Sequence, residues 1–104
     1  MAKRKQPVPA AAPLTLPERI SGPLKALLIL GWRRQMWAKE VRLPFPPSPG
    51  LGIRIDVYDM LRVDSVVIGD DGYDVTCICT FEGGGKHYTE SRVRGFGFEE
   101  SGYP

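Results

Sequence analysis

Residues 21–41 read SGPLKALLILGWRRQMWAKEV, and what this stretch forms decides the fold. Ser21 suits a helix N-cap, and Pro23 sits just inside the start, where its missing N–H costs little. Leu24, Ala26, Leu27, Leu28 and Leu30 favour helix. Pro44 stops anything helical by about Leu43. The pattern carries no single clean stripe. Its first half is apolar nearly all round, and its second half alternates Trp32, Arg33, Arg34, Gln35, Met36, Trp37, Ala38 and Lys39. The expectation is a helix within residues 18–43. A strand over Ala26–Leu30 is the alternative.

Upstream, residues 1–17 hold four prolines, three consecutive alanines and the basic cluster Lys3, Arg4, Lys5. Such a composition cannot bury enough apolar surface to offset ordering, so it reads as a flexible or partner-pinned arm. No apolar stretch of signal-peptide length follows the basic start, which argues against export. Downstream, residues 44–50 read PFPPSPG, a stiff linker favouring extended polyproline II. Its Pro44/Pro47 and Pro46/Pro49 spacings match a docking peptide, but they arise readily in any proline-rich spacer.

From Leu51 to residue 104 the chain reads as a small antiparallel β domain. Leu51, Ile53, Ile55 and Val57 alternate with polar neighbours. So do Tyr73, Val75, Cys77, Cys79 and Phe81, which makes Tyr73 and Phe81 core residues. Between them, Met60–Ile68 presents either Leu61, Val63, Ser65 and Val67 inward, or a set shifted by a bulge at Asp64-Ser65. Asp70-Asp71-Gly72 suits a tight hairpin turn, and Gly83-Gly84-Gly85 a looser one. Lys86–Val93 reads as a fourth strand and Gly95-Phe96-Gly97-Phe98 as a short fifth. The fold class expected is α+β: a basic arm, one helix covering an open end or face, and a five-strand antiparallel meander. Strand number and turn placement are reminiscent of SH3-like or Tudor-like half-barrels.

Charge is segregated along the chain. Residues 1–44 carry nine Lys/Arg against Glu18 and Glu40, a net of +7, and residues 45–104 carry five against ten acids, a net of −5. A charge arranged in this way suits recognition by a partner, or by the other half of a second copy. The longest apolar run, Ala26–Trp32, is far short of the roughly 20 residues a spanning helix needs.

Catalytic and metal signals are weak. Cys77 and Cys79 stand on one face of a strand, about 7 Å apart given a rise of ~3.3 Å per residue. A relaxed disulfide holds its Cβ atoms ~3.8 Å apart, so two buried free thiols in a reducing compartment are expected. With His87 the only histidine, zinc lacks a closed ligand set. Gly83-Gly84-Gly85-Lys86 lacks the spacing and following Ser or Thr of a phosphate loop. His87 has no nucleophile in a recognisable context and reads as a loop residue. Asp56, Asp59, Asp64, Asp70, Asp71 and Asp74 do not match a calcium loop and read as a solvated face. Tyr58 and Tyr88, possible stacking platforms if outward, read as core or edge packing.

The binding candidates are Lys3, Arg4, Lys5, Trp32, Arg33, Arg34, Trp37, Lys39 and Arg42. Arg and Trp together are enriched at protein hot spots. They also suit nucleic acid, where cations meet phosphates and indoles stack on bases. The expectation is a non-enzymatic interaction or assembly subunit, with no cofactor, metal, membrane or small-molecule substrate. A phage-type virion or another cytoplasmic multiprotein complex is a plausible setting by analogy. A nucleic-acid-binding small barrel is the alternative.

Overall fold

The computed structural model describes residues 22–69 and 72–102. Residues 1–21, with the expected arm and its Lys3, Arg4 and Lys5, lie outside the described residues, as do Asp70 and Asp71. The chain forms an open, mixed six-stranded sheet and one short helix: β1 (Leu24–Trp32), β2 (Gln35–Leu43), β3 (Gly52–Arg54), β4 (Met60–Val67), β5 (Val75–Phe81), α1 (Glu90–Gly95) and β6 (Glu99–Ser101). The spatial order is β3-β4-β5-β1-β2-β6.

The expected helix over residues 18–43 is replaced by a β-hairpin. Leu24 pairs with Leu43 and Trp32 with Gln35, leaving Arg33-Arg34 as a two-residue turn. Alternation then explains the apolar surfeit. Ala26, Leu28, Leu30 and Trp32 enter the core on one face, and Leu27 and Ile29 fall on the other. Both faces of β1 are largely covered, so its sequence lacks the polar half that would reveal a strand.

The meander expected from sequence is also corrected. β1 lies beside β5 in parallel, with Leu28 opposite Cys77 and Leu30 opposite Cys79. Strand β3 is only three residues long. The stretch Lys86–Val93 is a loop leading into α1, because the Thr89 hydroxyl accepts the Arg92 N–H and caps a helix there. Gly95–Phe98 is the end of that helix and a turn, and the last strand is Glu99–Ser101. The sheet does not close into a barrel: β3 and β6 are its edges.

Several readings do hold. Val75, Cys77, Cys79 and Phe81 all point into the core, and β4 carries its register shift between Val63 and Ser65, turning Val66 inward. Tyr73 does not join them; it lies before β5, half-buried, with Lys25 5.3 Å from its ring centroid.

The proline segment runs from β2 to β3, past three intervening strands. From β2 to β3 is four strand spacings, about 19 Å at ~4.8 Å each. Eight residues of extended backbone at ~3.1 Å reach about 25 Å, so a stiff spacer suits the span. Gly50 N–H then donates to Val63 O at 2.8 Å, seating the segment against β4. The second long connection, β5 to β6, folds over the core face and buries Val93 and Phe98 there.

Candidate functional site: a cationic groove at one end of the sheet

The turn between β1 and β2 is built from an unfavoured pair. Arg33 and Arg34 have φ of 53° and 62°, and among the described residues they are the only non-glycines with positive φ. A two-residue hairpin turn that follows the twist of its strands needs positive φ at both positions, which Asn-Gly supplies at little cost. An arginine in the left-handed region costs on the order of 1 kcal/mol. The two side chains differ. Arg33 lies with its guanidinium 4.5 Å from the Trp32 ring centroid and donates to Tyr88 O at 3.1 Å. Arg34 is exposed, with no hydrogen bond or ion pair to any described residue.

The parallel pairing of β1 with β5 brings a second segment to this end. Both strands finish on the same side, so the loop Gly83–Lys86 after β5 lies beside the Arg33-Arg34 turn. Trp32 Nε1–H donates to Gly85 O at 3.0 Å. A Cβ on residue 85 would fall 2.6 Å from Trp32 Cδ1, so only glycine fits under the indole. Between turn and loop runs an open groove of about 430 Å³, lined by Trp32, Arg33, Thr80, Phe81, Gly84 and Lys86 among others, with no carboxylate in its lining.

A network behind the groove holds the loop in place. Tyr88 stacks on Phe81 at 3.9 Å between centroids, and its hydroxyl donates to Asp59 Oδ1. Arg92 Nη2 donates to Asp59 Oδ2 at 2.7 Å. Burial, and then the hydrogen bond to Asp59, push the Tyr88 phenol up to about 12. Asp59 is therefore a nearly buried anchor, not part of a solvated acidic face.

The six candidate residues that are described, Trp32, Arg33, Arg34, Trp37, Lys39 and Arg42, are separated by the fold. Arg33 and Arg34 share the groove end. Trp32 and Trp37 are core, 7% and 2% exposed, their rings 6.1 Å apart. Arg42 stands far along β2 and donates to Pro23 O. Lys39 enters a second cleft of about 340 Å³, with Glu40, Glu99, Glu100 and Tyr73 in its wall. Desolvation lowers the Lys39 pKa. Lys86 and the glycine loop are additions that sequence reasoning treated as a bland hairpin. Only the parallel β1–β5 register brings them to the arginines, and nothing local in the sequence announces that register.

His87 is an exposed loop residue. Cys77 and Cys79 are free and buried, and burial pushes the Cys77 thiol up to about 11 and the Cys79 thiol further still. Among the described residues no group of three His, Cys, Asp or Glu is placed to hold a metal ion, and no helix is long and apolar enough to cross a membrane. No protein-family model matches the chain, and no curated protein or solved structure gives a significant match.

Proposed function

We propose that this protein is a non-enzymatic interaction or assembly subunit that docks on an acidic protein surface through its β1–β2 turn. The observation that carries this reading is the consecutive left-handed pair Arg33-Arg34. A relaxed turn sequence would hold the hairpin better, and residues kept in strain at an exposed tip are commonly kept for what they bind. The groove continues the same chemistry through Lys86.

The fold offers a receiving surface on a second copy. Glu99 and Glu100 of β6, with Glu40 of β2, line the cleft at the edge of the sheet. Turn into cleft is a heterologous contact, which propagates into a ring or a filament, as a virion or another multiprotein complex requires. The same cations would also suit phosphates, the basis of a nucleic-acid reading. The burial of Trp32 and Trp37 favours a protein partner, since neither indole offers a free face to a base.

Sedimentation velocity of the full chain at low salt, over a wide concentration range, tests the proposal. The expected result is a mass that rises with concentration for the native chain and stays monomeric for Arg33→Glu/Arg34→Glu. Equal association by both proteins would remove the turn as the docking element. A monomeric native chain that binds oligonucleotides with steep salt dependence would replace this reading with the nucleic-acid one.

A further inference from the structure

The loop after β5 holds donors that the fold does not use. The backbone N–H groups of Gly85, Lys86 and His87 have no acceptor among the described residues. They lie outside any helix or strand, on the loop that walls the cationic groove. Lys86 is exposed and makes no hydrogen bond or ion pair with a described residue. Across the groove, Arg33 is held in place. Its guanidinium lies over the Trp32 ring and donates from Nη2 to Tyr88 O, while Nε and Nη1 have no acceptor among the described residues. The nearby acids are engaged elsewhere. Glu82 is 3.8 Å from Arg62, Asp59 is held by Tyr88 and Arg92, and Glu90 pairs with Arg94. A smaller cleft that shares Trp32 and Arg33 has Glu90 and Glu100 in its wall, and Arg94 holds both. The groove therefore gathers cations and open N–H donors with no carboxylate in its lining.

We infer that this groove binds a phosphoryl group carried on a serine or threonine side chain of the protein partner. For its occupant, though not for the site itself, the inference rests on the docking reading. Charge argues for phosphoryl over carboxylate. A carboxylate carries a single charge and is satisfied by one arginine fork. A phosphorylated side chain carries up to about two charges and further acceptor oxygens, which match Arg33, Lys86 and the loop N–H groups together. Successive backbone N–H groups on a turn make an anion-binding concavity without any side chain. Arg34, beside Arg33 and without a partner among the described residues, adds to the field. Size and lining agree. About 430 Å³ takes a phosphorylated side chain and the residue beside it. Trp32, Phe81, Gly84 and Gly85 supply an apolar stretch of wall, which suits an apolar neighbour of the phosphorylated residue. A nucleic-acid phosphate fits less well. It is a diester with a single charge, and the buried indoles give its bases no face to stack on.

NMR titrations of the full chain at low salt test it. The probes are a Gly/Ser peptide with leucine beside phosphoserine, the same peptide with glutamate for phosphoserine, inorganic phosphate, and a single-stranded oligonucleotide. The phosphopeptide should give saturable shifts at the Gly85, Lys86 and His87 amides and at Arg33 Nε. The glutamate peptide should bind about tenfold more weakly or worse. Lys86→Ala removes no contact of the fold, so it should weaken phosphopeptide binding about fivefold at an unchanged melting temperature. Equal binding of the glutamate peptide, or full binding by Lys86→Ala, would overturn the inference. Inorganic phosphate that binds as tightly as the phosphopeptide would overturn it in favour of a free-phosphate site. Tighter binding of the oligonucleotide would overturn it in favour of nucleic acid. Sedimentation judges the docking reading separately: a native chain that stays monomeric yet takes the phosphopeptide at these amides would remove docking on a second copy and support the site.

Discussion

Asp59 shows how one side chain can hold a loop. It joins β3–β4 to the segment before β6 by accepting from both Tyr88 and Arg92, and it is only 8% exposed. Removing it leaves a phenol and a guanidinium without their acceptor. Asp59→Ala should therefore lower the unfolding free energy by about 2–3 kcal/mol, read from denaturant midpoints; no shift would mean that the network is idle. The same cluster sets an alkaline limit. Burial makes Tyr88 hold its proton more tightly when folded, up to about 12 from an ordinary 10.0, and Cys77 up to about 11 from 9.0. At high pH the folded state binds more protons than the unfolded one, so stability falls as pH rises. The stabilisation is complete below about pH 9 and declines through pH 9–12, within the range those two groups define. Tyr88→Phe should flatten the part of that decline above pH 10, measured as the melting temperature across the series. An unchanged slope would remove Tyr88 as its source.

The hairpin β1–β2 is where local backbone preference and the proposed docking pull apart. Replacing Arg33-Arg34 with Asn-Gly should relieve two left-handed arginines and raise stability by about 1–2 kcal/mol while abolishing docking. A lower midpoint would show that the Arg33 contacts with Trp32 and Tyr88 outweigh the backbone strain. This element was the least legible in the sequence. Leu24, Ala26, Leu28 and Leu30 carry the core alternation, but Leu27 and Ile29 fill the intervening positions and mask it. Arg-Arg carries no turn signal, so the best local reading joined two strands into one helix. Strand β5 was legible because Thr76, Ile78 and Thr80 separate four core residues that alternate cleanly. The loop before β6 was misread for a third reason. Tyr88, Thr89 and Val93 favour strand, and the Thr89 cap is visible only once the helix it begins is recognised. Of the candidate site, the two arginines could be read directly, whereas Lys86 required the parallel pairing of strands some fifty residues apart.

Over the whole molecule, the ion pairs among the described residues leave the charge split along the chain uncancelled. Arg62 pairs with Asp64 and Glu82, Arg92 with Asp59, and Arg94 with Glu90 and Glu100, all within the acidic half. Arg33 and Arg34 stand at the turn, and Glu40, Glu99 and Glu100 stand at the β2–β6 edge. Glu100 sits between two roles, because it belongs to the acidic cleft and is also held by Arg94 at 2.8 Å. That conflict allows a test with opposite signs for stability and association. Arg94→Gln removes two exposed ion pairs and a cation–π contact with Trp37, so the fold should lose on the order of 1 kcal/mol. It also frees Glu100 and makes the cleft more negative. If Arg33 and Arg34 of one copy dock against this edge of the next, Arg94→Gln should shift sedimentation toward larger species at a given concentration, and added salt should reverse the shift. Weaker or unchanged association in a folded variant would remove the β6 edge as the receiving surface. The acidic partner of the turn would then have to be a different protein.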